Sequence, residues 1–350
     1  MKFMHMSDCH IGGWQRNEEL RDILSESFDE AINLARKEKV DFILISGDIF
    51  DKAIPDITAI HNAVKKMKEA RDAGIRIYVI EGSHDFSVTD KTMTKILDSA
   101  GIFTRVAQQE WIENDEEDED EKLELILTED CETGAKITGI SGKWRAGEEE
   151  IYRLIDEKHI QEKLEKNSGF KIFMFHSGIS EFKSKKLASA SGFMPLSLLP
   201  KGFDYYAGGH IHIKSEYEYE VPGYNQIYYP GPLFPMNSQD LEEHPVGGVY
   251  LVTVEDDRPK VEWREINICD IVSIKVDASK KNPSSVEKEI RDEIEKKDVK
   301  GKIVVLRVEG TLESGHRTDI DFRSLELFIK EKHARTIVKR EVKLKSSVYE

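Results

Sequence analysis

Phe42-Ile43-Leu44-Ile45-Ser46-Gly47-Asp48-Ile49-Phe50-Asp51 is the stretch whose reading decides the fold. It opens as a short apolar run of strand character and passes at once into Gly-Asp. Four other runs repeat the design: Lys2–Met6, Arg76–Ile80, Lys171–Phe175 and Asp204–Ala207 are each four or five residues long and soon meet Gly, Ser, Asp or His. Between the first two runs, Leu20, Ile23, Leu24, Phe28, Ala31, Ile32 and Ala35 keep helical spacing. Asp56 predicts an N-cap for a second helix striped by Ile57, Ile60, Val64 and Met67. Strand–helix–strand alternation implies an α/β fold with helices covering both faces of a sheet. In such sheets function collects at the carboxyl ends of the strands.

The unusual residues lie at those ends. They are Asp8-Cys9-His10, Gly47-Asp48-Ile49-Phe50-Asp51, Glu81-Gly82-Ser83-His84-Asp85, His176-Ser177-Gly178 and Gly209-His210-Ile211-His212. Residues two apart in a strand share a face, so D-x-H and H-x-H each aim two ligands at one point. Carboxylate can bridge two cations, and mixed nitrogen and oxygen donors suit Mn, Fe, Zn or Co better than Mg or Ca. Glycines before Asp48, Ser83 and His210 permit tight turns and close approach of a phosphate. Taken singly the pieces are weak: a lone histidine after a buried strand is ordinarily hydrogen-bonded structure, and a lone Gly-Asp is a turn. Five in order, ending five strands, predict a two-metal phosphoester site. His5, His61, His159, His244, His316 and His333 lack that context and read as structural or surface residues.

The chain has 350 residues and is 39% hydrophobic, enough for a sizeable core and for two domains. Its apolar runs are too short to span a bilayer, and no secretory signal opens it. Three scattered cysteines fit a reducing cytoplasm and argue against a cysteine zinc cluster. The net charge of −16 is uneven: the segment from Ile266 onward carries 19 basic and 16 acidic residues, leaving −19 on residues 1–265. Eight of the nine residues Glu113–Glu121 are acidic and read as a solvated loop. From Lys214 to Glu265 the sequence turns tyrosine-rich, with strands punctuated at Val221-Pro222-Gly223 and Tyr229-Pro230-Gly231-Pro232. A smaller α/β unit follows: strands at Ile271–Val276, Lys302–Val308 and Arg335–Val342, a helix capped by Asn282 with Pro283 first, and another marked by Phe322, Leu325 and Phe328. The boundary falls near 255–270.

In order and spacing the five pieces resemble the calcineurin-like metallophosphoesterase superfamily over roughly residues 1–250. Met6-Ser7-Asp8-Cys9-His10-Ile11-Gly12, Gly208-Gly209-His210-Ile211-His212 and Tyr228-Tyr229-Pro230-Gly231-Pro232 resemble most the archaeal double-strand-break repair nucleases of the meiotic-recombination-eleven/SbcD family. The resemblance implies a metallophosphoesterase β-sandwich flanked by helices over 1–260 and a DNA-facing α/β cap over 266–346. It implies two Mn²⁺ per subunit, one held by Asp8, His10, Asp48 and His212, the other by Asp48, His176 and His210, with Asp48 bridging. Ser83 occupies the position where that family has an asparagine ligand, which predicts a looser second ion and weakened hydrolysis. His84 would act on the leaving 3′ oxygen, with Asp85 orienting its ring, while Asp51 is open between support and a plain turn.

The implied activity is 3′-to-5′ exonuclease on duplex ends and endonuclease on single strands. Trp14, Gln15 and Arg16, and the cap's Lys280, Lys281, Arg317, Arg323, Lys339 and Arg340, are candidate DNA contacts, each set against an ordinary charged surface. The family dimerises through helices that here fall near 56–73 and 88–98, where Ile57, Ile60, Val64, Met67, Met93, Ile96 and Leu97 could equally be core. It also docks on an ABC-type ATPase through helices beyond the cap; no apolar helical period follows Lys345, so that segment is expected to be short, absent or removed here. Two rival readings stand: a small-molecule phosphodiesterase or phosphatase, and a non-catalytic DNA-end-binding scaffold.

Overall fold

The computed structural model describes residues 1–89, 91–107, 109–111, 122–143, 147–183, 192–214, 223–340 and 344–346. The acidic run 113–121, turn residues Val221 and Pro222, and the end of the last expected strand fall outside them. The chain divides into two compact units. The first comprises Met1–Gln15, Leu24–Phe234 and Gly247–Ile266; the second comprises Arg16–Ile23, Pro235–Val246 and Asn267–Glu350.

The first unit is two stacked sheets. One runs Arg258–Ile266, Gly247–Glu255, Lys2–Met6, Phe42–Ser46, Arg76–Ile80, Thr104–Arg105 from edge to edge. The other runs Gln226–Tyr228, Tyr205–Gly209, Lys171–His176, Lys136–Ile140, Thr128–Glu129. Phe42 and Leu44 point between the sheets, meeting Phe3, Tyr78, Ile172, Met174 and Tyr205. Ile43 and Ile45 point outward to Phe28, Ile32 and Met67 on the helices Glu18–Lys37 and Ile57–Asp72. Burial on both faces is why these strands read as continuous apolar runs. Each such side chain, fully buried, stabilises the fold by about 1.5–3 kcal/mol.

Register brings the strand ends level. Met6 pairs with Ile45, Ser46 with Ile80, and in the second sheet His176 with Gly209. Asp56 caps its helix by accepting the Ala59 N–H at 2.9 Å, an interaction typically contributing about 1 kcal/mol. The stripe after it divides. Met67 and Leu97 enter the core, Val64 and Met93 lie against it, and Ile57 and Ile96 stay exposed.

In the second unit, Ile271–Asp277, Ile303–Thr311 and Thr336–Arg340 form a parallel sheet, with Leu344–Lys345 pairing beside Gly310 and Thr311. Helices Pro283–Glu295 and Phe322–Glu331 bury Val286, Ile290, Ile294, Leu325 and Ile329 on one side. The Asn282 side chain accepts the Ser285 N–H at 2.9 Å, as the Asn-Pro pair predicts. On this unit's Glu242, a side chain only 2% exposed, converge Lys275 at 2.7 Å, Arg307 at 3.2 Å and Arg340. Arg340 thus places Nη1 on a buried carboxylate. Lys281 and Lys339 are likewise paired, with Glu289 and Glu326. No helix among the described residues is long and apolar enough to cross a membrane.

Candidate metal centre

The chain turns sharply where the strands end. Asp8, His10, Asp48 and His210 all sit at positive φ, at 51°, 43°, 48° and 83°. Non-glycine residues held there cost about 1–3 kcal/mol each and persist only where surroundings fix them. Here hydrogen bonds do so. Asp8 N–H donates to Gly47 O at 3.1 Å, His10 N–H to Asp48 O at 2.9 Å, and His210 N–H to both Asp8 oxygens at 3.1 Å. The last bond crosses from one sheet to the other.

Those turns gather ligand atoms into three overlapping groups, each within 4.8 Å: Asp8, His10 and His212; His10, Asp48 and His84; Asp8, Asp48 and His176. His10 Nε2 lies 3.3 Å from His212 Nε2 and 3.7 Å from Asp48 Oδ2. His176 Nδ1 donates to Ser46 O at 2.8 Å, so its Nε2 lone pair faces Asp48 Oδ2 at 3.2 Å. Lone pair against carboxylate is repulsive unless a cation, proton or metal, stands between. His176 Nε2 and His10 Nδ1 are also buried without a hydrogen-bond partner. Acceptors crowded on acceptors fit divalent cations, and Asp48, shared by two groups, is placed to bridge. His210 meets His176 edge to face, ring centroids 5.4 Å apart, but its nitrogens fall outside the three tight groups.

Burial pushes His10 down to about 4, keeping it a neutral ligand at ordinary pH. Burial works the same way on His176, but the Asp48 carboxylate overrides it and raises that imidazole to about 10. Asp48 itself, despite burial, is held well below the usual carboxylate range by His176 and His10.

Absent side chains make the room. A Cβ on Gly82 would stand 2.1 Å from Asp48 Oδ1, one on Gly47 2.3 Å from His176 Nδ1, and one on Gly209 1.9 Å from Ser46 O. Gly142 and Gly192 press in the same way on His176 and His210. Their contacts come from loops distant in sequence, and no local motif marks them.

The expected partnership of Asp85 with His84 is not what the structure shows. Asp85 is fully buried and accepts the N–H groups of Ile49, Phe50 and Gly82 at 3.0–3.1 Å, tying two site loops together. Burial, and then the Asp48 charge, push it up to about 7 against those donors. Asp51 faces His84 instead. Its carbonyl accepts from His84 Nδ1 at 3.0 Å, and its carboxylate lies 4.0 Å from that nitrogen and 3.7 Å from His10 Nδ1. The His84 N–H also donates to Asp48 Oδ1 at 2.8 Å, leaving the 43%-exposed ring with Nε2 available. Ser83, half-buried, sits between Gly82 and His84. Trp14 is half-buried and Arg16 exposed; Gln15, another candidate DNA contact, accepts from Lys52.

Residues 1–214 match the model of the calcineurin-like phosphoesterase family. The chain belongs to that family. Calcineurin-like phosphoesterases are metal-dependent, in keeping with the donor set above. Among curated proteins, this family member is 27% identical over 319 residues to the DNA double-strand break repair protein Mre11 of Sulfolobus acidocaldarius, covering 89% of this chain and 76% of that one. It is 26% identical over 235 residues to the Mre11 of Archaeoglobus fulgidus, covering 66% and 49%. It is 26% identical over 318 residues to the uncharacterized metallophosphoesterase YhaO of Bacillus subtilis, covering 88% and 71%. The matched stretch is thus about three quarters of the Sulfolobus protein but only about half of the Archaeoglobus one.

Proposed function

We propose that this phosphoesterase is a two-metal DNA nuclease processing double-strand break ends, as a 3′-to-5′ exonuclease on duplexes and an endonuclease on single strands. The observation that carries the reading is the convergence of Asp8, His10, Asp48, His176 and His212 at adjoining strand ends. Similarity to Mre11 proteins supports the DNA substrate. Asp8, His10 and His212 would hold one cation, His176 and His210 the other, and Asp48 both. When bound, the ions polarise the phosphoryl group and supply hydroxide. His84 then works through Nε2. With Nδ1–H fixed on the Asp51 carbonyl, only Nε2 can exchange a proton with the leaving 3′ oxygen.

Manganese, an ABC-type ATPase partner and a homodimer through 56–73 and 88–98 belong to the same proposal. Exposed Ile57, Val88 and Ile96 on those stretches support the dimer. Ser83 favours attenuated turnover, because a hydroxyl reaches one heavy atom less far than the amide it replaces in the family pattern, and it keeps an end-binding scaffold as the second reading. One preparation separates the readings. Manganese-dependent cutting of linear duplex supports the nuclease. Turnover of bis-p-nitrophenyl phosphate alone points to a small-molecule enzyme, and tight DNA binding without turnover to the scaffold.

A further inference from the structure

The loop Gly82–Asp85 carries His84 and abuts Asp48, and one end of it is tied down by a buried carboxylate that touches no ligand. Glu81, 8% exposed, follows the strand Arg76–Ile80 and leads into that loop. Its Oε1 accepts the hydroxyl of Thr92 at 3.0 Å and that of Thr94, and its Oε2 accepts Arg105 Nη2 at 2.8 Å. Thr92 and Thr94 are themselves buried, 2.8 Å apart, and Thr92 is the N-cap of helix Met93–Ser99. Glu81 is equally held through its backbone. Its N–H donates to Ser141 Oγ at 3.1 Å, and its carbonyl accepts the Gly142 N–H at 2.8 Å. Gly142 is the residue packed on the His176 ring.

From these bonds we infer that Glu81 is a positioning residue for His84. The other end of the loop is drawn inward, by His84 N–H on Asp48 and by Asp85 on the backbone of Gly82, Ile49 and Phe50. Those bonds fix how deep the loop sits. They leave its lateral setting to the residue before Gly82, and a glycine cannot hold it there, having no side chain and a wide conformational range. Glu81 supplies the lateral anchor. Its two oxygens grip a helix N-terminus on one side and the strand Thr104–Arg105 on the other. Removing the carboxylate takes away the one acceptor that Thr92, Thr94 and Arg105 share, so the tie between the helix start and the loop is lost. The displacement would fall first on the exposed ring of His84, whose Nε2 must meet a leaving oxygen within hydrogen-bond reach. Misplacing such a group by about 1 Å can cost about 10²-fold. Asp8, His10, His176 and His212 sit at the ends of other strands, away from the bonds of the Glu81 carboxylate, and keep their settings.

This inference rests on the role given to His84 above, and the test separates the two. Full-length Glu81→Met, Glu81→Gln and Thr94→Val proteins, labelled with ¹⁵N-histidine, are compared with the wild type by NMR and by manganese-dependent turnover of bis-p-nitrophenyl phosphate. Glu81→Met is expected to shift and broaden the His84 ring resonances and to lower kcat by about 10- to 100-fold, with KM and manganese affinity changed less than about twofold. Glu81→Gln keeps an acceptor for the threonine hydroxyls and should restore kcat to within about threefold of wild type. Thr94→Val, isosteric and lacking one donor, should move the same His84 resonances by less. Unchanged His84 resonances in both Glu81→Met and Thr94→Val overturn the inference. So does a loss of manganese affinity in parallel with kcat, which would make Glu81 a general support of the centre. Should wild type turn over no substrate, the functional proposal fails, and the His84 resonances still decide the role of Glu81.

Discussion

Gly82→Ala probes the centre with the smallest possible change. The added methyl carbon would stand 2.1 Å from Asp48 Oδ1 and 2.3 Å from Asp48 N, where ordinary contact begins at 3.4 Å. The shortfall is about 1.3 Å, and because one partner is backbone it cannot be relieved by a rotamer change. Either the Asp48 turn or the Gly82–Asp85 loop must move by about that distance. Overpacking of this kind costs about 1–3 kcal/mol of stability. Displacement near 1 Å at a bridging ligand and at His84 together should lower turnover by about 10²-fold or more. Manganese affinity, measured by calorimetry, should fall at least tenfold, since Asp48 is shared by two ligand groups. Urea denaturation gives the stability change in the same protein. If Gly82→Ala binds manganese and hydrolyses bis-p-nitrophenyl phosphate within about twofold of wild type, the close packing of this loop on Asp48 is not what shapes the centre.

Four further outcomes follow from the same geometry. Manganese at about 100 times its Kd should stabilise by about 2.7 kcal/mol per site, raising Tm by about 5–10 °C in a thermal scan, and EDTA should reverse it; a Tm indifferent to both contradicts a folded-state site. Because His176 is held protonated up to about pH 10, an ion there must displace a proton. Affinity should therefore rise with pH between about 6 and 9, by up to tenfold per unit, with close to one proton released. Calorimetry in buffers of different ionisation enthalpy reads that proton, and zero release refutes it. Asp85→Ala strips the acceptor from three buried N–H groups and should cost about 3–5 kcal/mol in urea, with Asp85→Asn costing less; a loss under about 1 kcal/mol refutes the loop-tying role. Ser83→Asn should tighten the second ion and raise manganese-dependent nuclease activity, and no gain would remove Ser83 from the ligand shell.

The site-bearing strands were legible because they are buried along nearly their whole length: Phe42 to Ser46 has no solvent-facing residue to interrupt its apolar run. Helix starts were legible at Asp56 and Asn282 because capping is local chemistry. The gathering of Asp8, His10, Asp48, His176 and His212 could be anticipated for a related reason. Each lies at a strand end or within four residues after it, and parallel register then aligns the ends. What spacing does not encode is which neighbour a side chain chooses across loops. Asp85 adjoins His84 in sequence yet turns to the backbone of Ile49 and Phe50, while Asp51, 33 residues away, takes the His84 ring. Gly142 and Gly192 matter only through contacts with His176 and His210 made by folding. Arg340 likewise reads as a surface cation until Glu242, 98 residues distant, closes on it.

Diffraction from crystals grown with manganese, recorded at the manganese absorption edge, examines the shared cation centre with the fewest intermediate assumptions. Two anomalous peaks about 3.5–4 Å apart are expected, flanking Asp48, with Asp8, His10 and His212 around one and His176 and His210 around the other. Peaks only at surface carboxylates, or none within bonding distance of Asp48 at saturating manganese, would contradict it.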